Sequence, residues 1–198
     1  MCKTSLVVGL AVCLIAGTAL AGGTPETGVG TKQMVFMFHG LDHLGLRSYD
    51  GGLGFRYFFG EGMAIRPGVN LAYSKEDLGD DVDAPTTTDI ALSVVLEKYM
   101  PAISSVSPYI GFGAGYSRSK SENVPEQPSV VTESSIEAKA VAGFQWYFTD
   151  ALSLGGEYTG SFQHCKETGE DTEGETLYEW TANTFSWDAS HIYFSVRF

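Results

Sequence analysis

From Lys32 to Phe198 the sequence repeats one pattern, in which apolar and polar side chains alternate over runs of roughly ten residues and turn residues separate the runs. The clearest run sets Met63, Ile65, Pro67, Val69, Leu71 and Tyr73 against Ala64, Arg66, Gly68, Asn70, Ala72 and Ser74. A period of two puts these sets on opposite faces of an extended strand. Eight such segments are countable: Lys32 to Gly40, Gly51 to Gly60, Met63 to Ser74, Thr86 to Met100, Pro108 to Ser117, Ser134 to Phe148, Leu152 to His164, and a last one that starts between Thr184 and Ala189 and runs to Phe198. Their length suits tilted strands crossing a bilayer. Pro67 has no ladder donor and predicts a bulge or a local break.

The connections alternate too. Gly60 to Gly62, Thr149 to Ala151 and Pro101 to Ser107 are short, whereas Leu41 to Asp50, Lys75 to Pro85, Arg118 to Glu133 and Cys165 to Asn183 are longer, polar and mostly acidic. Short turns on one side and long loops on the other fit an antiparallel up-and-down barrel with periplasmic turns, which places both barrel termini in the periplasm.

The residues before Lys32 read as export and spacing. Lys3 supplies a positive start, Leu6 to Ala16 an apolar stretch and Ala19-Leu20-Ala21 a small-residue cleavage site, so residues 1–21 are expected to be a signal peptide. Residues 22–31 then form a periplasmic tether, and 32–198 the barrel. Cys2 and Cys13 leave with the signal, and Cys165 is then alone, which excludes an intramolecular disulfide. A net charge of −12 excludes nucleic acid as a partner, because nothing here neutralises a run of phosphates.

Alternation does not say which face points inward, since a soluble barrel buries its apolar face. Glycine decides it. Gly54, Gly68, Gly111, Gly113, Gly115, Gly143 and Gly155 all share the polar face, and only a crowded interior gains from losing side chains. The fold class is therefore an all-β, eight-stranded transmembrane barrel with a filled polar interior. That interior carries Arg56, Arg66, Lys139 and Arg197 with Glu97, Glu137, Glu157 and Asp89, charges that must pair to be enclosed. The hairpins around Gly60-Glu61-Gly62 and Thr149-Asp150-Ala151 place Tyr57, Phe59, Trp146 and Phe148 in an aromatic girdle at the short-turn rim, with Tyr73, Tyr116 and Phe162 toward the other.

The signal segment, the eight strands, the closing run Tyr193-Phe194-Ser195-Val196-Arg197-Phe198 and the hairpin Tyr147 to Tyr158 resemble the small outer-membrane β-barrels of the OmpA/OmpX type, over essentially the whole mature chain. The resemblance implies that Tyr193, Phe194, Val196 and Phe198 form the signal read by the barrel assembly machinery. It also implies the outer membrane of a Gram-negative bacterium as location, with outer-membrane lipid and lipopolysaccharide as neighbours. Longer members carry a periplasmic peptidoglycan-binding domain, which a chain stopping at Phe198 is expected to lack.

The functional expectation is a non-enzymatic structural or surface-interaction role through acidic external loops, with a host or surface ligand as the open partner. A narrow solute conduit and a lipid-active enzyme are the alternatives. His39 and His191 face the lumen on strands that must pair, as a hydrogen-bonded pair or a weak metal site, but no third ligand and no His-x-Ser pattern accompanies them, so no catalytic residue, metal or cofactor is assigned. His164 and Cys165 are expected to face solvent at the start of a loop. The loop acids Glu76, Asp77, Asp80, Asp81 and Asp83, and Glu167, Glu170, Asp171, Glu173 and Glu175, match no calcium-loop spacing and read as a solvated surface.

Overall fold

The computed structural model describes residues 23–38, 48–75, 85–122, 130–171 and 173–198, without the side chains of 48–50 and 188–191. Eight antiparallel strands close into a barrel in sequence order: β1 (Lys32–Phe38), β2 (Ser48–Gly60), β3 (Met63–Lys75), β4 (Thr86–Tyr99), β5 (Val106–Glu122), β6 (Val130–Tyr147), β7 (Leu152–Glu170) and β8 (Thr176–Arg197). Closure is made by β1 on β8, with Gln33 opposite Arg197 and Phe38 opposite Ile192. A closed ring removes every strand edge over the paired length, which is what a chain surrounded by lipid requires.

The apolar faces of all the strands point outward. Leu92, Leu96, Phe112, Ile136 and Phe162 are each more than half exposed on the outer wall, while Arg56 and Glu97 are 1% and 2% exposed inside. A soluble barrel would have the opposite arrangement. Inward glycine makes room for large neighbours: a Cβ on Gly143 would stand 2.7 Å from the Tyr109 ring, and one on Gly115 would collide with the Glu137 carboxylate.

The strands differ greatly in length. β1 has seven described residues, whereas β5, β6, β7 and β8 have 17, 18, 19 and 22, far beyond the roughly 9–11 that cross a bilayer. Stretches expected as loops are therefore strand. Most of 165–183 belongs to β7 and β8, which pair through Glu170 opposite Thr176 and leave a turn at Asp171–Glu175. Asp171 Oδ1 accepts from the backbone N–H of Glu173 and of Glu175, both at 2.9 Å, and so shapes that turn. Along this hairpin polar residues occupy both faces, as at Lys166, Glu167 and Thr168, so the apolar alternation that marks a strand in the sequence is lost there.

Pro67 causes no register shift. The β2–β3 ladder omits the pairs at Phe55 and Arg56 but keeps its register, and the shift falls between Phe58 and Gly60. The β4 side remains continuous, with Pro67 opposite Val94, so the missing N–H interrupts only the ladder toward β2. A second shift lies in β8, between the pairs of Glu157 with His191 and Tyr158 with Ala189.

Candidate functional site

Inward positions near the short-turn end form a continuous buried layer. Arg56 sits on β2, Arg66 on β3, Glu97 on β4 and Glu157 on β7, all on the lumen side by the strand alternation. Arg56 donates from Nε to Glu97 Oε2 at 2.6 Å and from Nη2 to Oε1 at 3.3 Å, a two-point contact. Arg66 Nε lies 2.6 Å from the same Glu97, and its Nη2 donates to Glu157 at 2.6 Å. Two cations and two anions thus balance among side chains that are all buried, the condition under which enclosed charge is tolerated.

Neutral groups complete the layer. Gln33 and Gln145 accept from Arg56 Nη1 at 3.0 and 3.1 Å, Tyr99 donates to Gln145 at 3.0 Å, and Tyr109 and Tyr193 donate to Glu157 at 2.8 and 2.6 Å. The Arg56 guanidinium stands 5.6 and 5.7 Å from the centres of Tyr99 and Tyr109, and that of Arg66 stands 4.6 Å from the centre of Tyr193. Phe58, Ala64, Val95 and Val141 pack among these rings. Gln33, Gln145, Tyr99 and Tyr109 have the same strand parity as the charged residues, which is the signal that identifies them.

The other interior charges do not join this layer. Lys139 pairs with Glu137 at 2.6 Å, half-buried and further from the short turns. Arg197 pairs instead with Glu26. That acid belongs to residues 23–31, which cross the short-turn end: Thr24 N–H donates to Asp150 at 2.9 Å, Gly62 N–H to the Thr27 carbonyl at 3.0 Å, and Gly30 N–H to the Phe58 carbonyl at 2.8 Å. Asp89 pairs across the sheet with Ala72 and Ser119 and has no place in the charged layer. Above the layer is a cavity of about 260 Å³ lined by Arg66, Asn70, Ser93, Glu137, Lys139 and Glu157 among others.

The outer wall carries the aromatic residues. Trp146 and Phe148 lie 5.8 Å apart, Phe148 and Phe194 6.3 Å, and Phe55 and Phe198 6.3 Å, with Tyr57 and Phe59 on the same outward face. Ile192, Phe194 and Val196 alternate outward while Tyr193 is buried inside. At the other rim Trp187 stacks on Tyr158 at 5.9 Å and lies over Gly160.

Several expected sites fall elsewhere. His164 and Cys165 lie within β7, not in a loop; His164 is exposed and bonded to Asn183 at 2.9 Å, but Cys165 is buried, on the inward parity of the strand between Ser135 and Ala182. Ala19, Ala21, His39 and the acids Glu76 to Asp83 lie outside the described residues, as does the side chain of His191, so the His39 and His191 pairing is not described. Among the described residues no cluster of His, Cys, Asp or Glu has metal-holding geometry.

An apolar outer wall, a polar filled lumen and complete closure define a transmembrane β-barrel. The family described as outer membrane protein beta-barrel domain matches residues 5–198, and the chain belongs to it. A major outer membrane protein from Thermus thermophilus has a similar fold, with TM-score 0.53 and 15% identity over 85% of this chain and 98% of that one. The N-terminal β-barrel domain of Pseudomonas aeruginosa OprF matches with TM-score 0.45 and 14% identity over 86% of this chain and 99% of that one. No curated protein matches the sequence.

Proposed function

We propose that this outer-membrane barrel is a non-enzymatic, sealed scaffold that holds a tall β-sheet above the membrane for structural or surface-interaction work. The observation that carries it is the Arg56, Glu97, Arg66 and Glu157 layer, which spans the lumen from β2 to β7 and commits each of these ionisable groups to another. Groups paired in this way would have to break those contacts before they could solvate a passing ion. The length of β5 to β8 supports the presentation role, since about ten residues of β7 and of β8 lie beyond what the bilayer needs. Their tip carries Glu167, Glu170, Asp171, Glu173, Glu175 and Glu179 beside the exposed Tyr178 and Trp180.

With the short turns periplasmic, as in bacterial barrels of this type, this tip is extracellular, and export by the N-terminal segment of a Gram-negative cell follows. The outward aromatics of β8 with Phe198 serve as the strand read during assembly. Planar-bilayer recording of purified protein tests the sealed reading: no stable unitary current is expected, and a steady one overturns it. Unchanged lipid A mass spectra on overexpression are expected if no lipid chemistry occurs.

One observation favours a solute site as second reading. Asn70 Oδ1 is buried without a protein partner at the wall of the 260 Å³ cavity, so a small polar occupant would satisfy it. A conduit further requires the charged layer to open, and unitary current is again what would reveal it.

A further inference from the structure

Among the described residues, three of the six outward lysines and arginines, Arg118, Lys120 and Lys166, lie close together on β5 and β7. Met63 to Lys75 and Val106 to Glu122 carry outward residues of odd and even number respectively, and the outward series of β5 runs Ile110, Phe112, Ala114, Tyr116, Arg118, Lys120. The series turns from apolar to cationic within one step. On β7 the outward series likewise passes from Tyr158 and Phe162 through His164 to Lys166.

The ladder brings these steps together. Ser134 on β6 pairs with Arg118 on one side and with Lys166 on the other, and Thr132 pairs with Lys120 and Thr168. Arg118 and Lys166 are therefore two strand spacings apart, about 10 Å between backbones, with a hydroxyl midway. Long side chains on both sides reach one point above Ser134. Arg118 is exposed and, among the described residues, has no acidic partner; Lys120 and Lys166 are about half exposed and lean on Glu122 at 2.5 Å and Glu179 at 2.9 Å. Directly below lie Tyr116 and Ile136, which pair with each other, and then Phe112. A cationic, hydroxylated patch on top of an apolar wall matches a molecule with a phosphate head and acyl chains.

We propose that Arg118, Lys120 and Lys166, with Ser134 and Thr132 between them, bind the phosphate headgroup of a phosphorylated lipid in the leaflet around the long-strand rim, whose chains lie on Phe112, Tyr116 and Ile136. The name of the leaflet rests on the orientation proposed above; the site does not. Glu179 and Glu122 act as internal competitors that the phosphate displaces. The net charge of −12 makes the placement informative, because a general attraction to anionic lipid is absent and only a local patch can supply it.

The test uses native mass spectrometry of the folded full barrel in neutral detergent, titrated with bis-phosphorylated lipid A and with the same lipid after enzymatic removal of its phosphates. Parent protein should prefer the phosphorylated lipid at least tenfold. R118Q/K166Q should weaken that binding by about thirtyfold, from roughly fivefold per cation near a charged headgroup. E179Q should tighten it, because Lys166 loses its competitor. K32Q/K98Q, at the opposite rim, should leave it unchanged.

Equal binding of both lipids by the parent overturns the proposal, as does an R118Q/K166Q barrel that binds like the parent or a K32Q/K98Q barrel that loses as much. Heat-dependent gel mobility reports folding, and if R118Q/K166Q does not fold, E179Q decides: failure to tighten rejects the site. A conducting barrel would refute the sealed-scaffold reading and leave these outcomes untouched.

Discussion

Glu97 is the residue on which the interior depends, because both Arg56 and Arg66 lie within 2.6 Å of its carboxylate. Glu97→Gln leaves Arg56 without an anion and Arg66 with Glu157 alone, and removing one partner of a buried pair costs about 3–5 kcal/mol. Urea unfolding of the refolded barrel in lipid should show that loss. Glu137→Gln should cost under about 1 kcal/mol, since its pair with Lys139 is only partly buried, at 21% and 15% exposure. Equal losses at the two sites would mean that burial is not what sets the cost. At the hairpin tip, the Tyr178 phenol is pushed above its ordinary value, chiefly by its 2.8 Å hydrogen bond to Glu167, with burial and the Glu167 charge adding to it. A raised folded value means that the contact is fully present below the ordinary phenol range and is lost as pH rises through the folded value. Absorbance titration should show one fewer late-titrating phenol in Tyr178→Phe than in the parent, and Glu167→Gln should return that phenol toward the ordinary range.

At the scale of the strand, what the sequence reveals depends on whether the two faces have different surroundings. Between Leu53 and Phe59, or Ile90 and Leu96, one face meets lipid and the other a crowded lumen, so apolar and polar residues alternate and both strand and facing are legible. Between Cys165 and Asn183 polar and acidic residues occupy both faces, as at Lys166 and Glu167, and the same β-structure reads as a loop. The four-charge layer shows the same limit. Parity puts Arg56, Arg66, Glu97 and Glu157 on one face, but which of them touch depends on strand stagger, which the sequence does not display. Arg197 shares that parity and yet pairs with Glu26, whose segment has no periodicity at all. Because no residue of the charged layer lies in 168–179, deleting these residues and joining the ends with an Asn-Gly turn should leave the heat-modifiable barrel intact. Loss of the mobility shift would show that the tall sheet is needed for folding and does not merely stand on it. Replacing Phe198 by Ser should lower the amount assembled in cells while changing the unfolding midpoint of purified barrel little, because its ring sits largely exposed at the outer edge beside Phe55; normal assembly would remove the signal role.

For the whole molecule, two structures stand between the cavity and the short-turn side: the charged layer, and residues 23–31 crossing beneath it. They are not equivalent as barriers. The crossing segment is held by a few backbone hydrogen bonds and by the Glu26 pair with Arg197, partly in water, whereas the layer fills the section with Arg56, Tyr99, Tyr109 and Tyr147 at 3% exposure or less. An ion meets its main obstacle where it must shed water among buried, paired side chains. A barrel lacking residues 23–30 should therefore remain silent in planar bilayers. The double variant Arg56→Ser with Glu97→Ser keeps net charge, removes the two-point contact and opens space for water between β2 and β4, so it should give unitary currents. If the truncated barrel conducted and the double variant stayed closed, the crossing segment would be the seal and the charged layer a stabilising core without a barrier role.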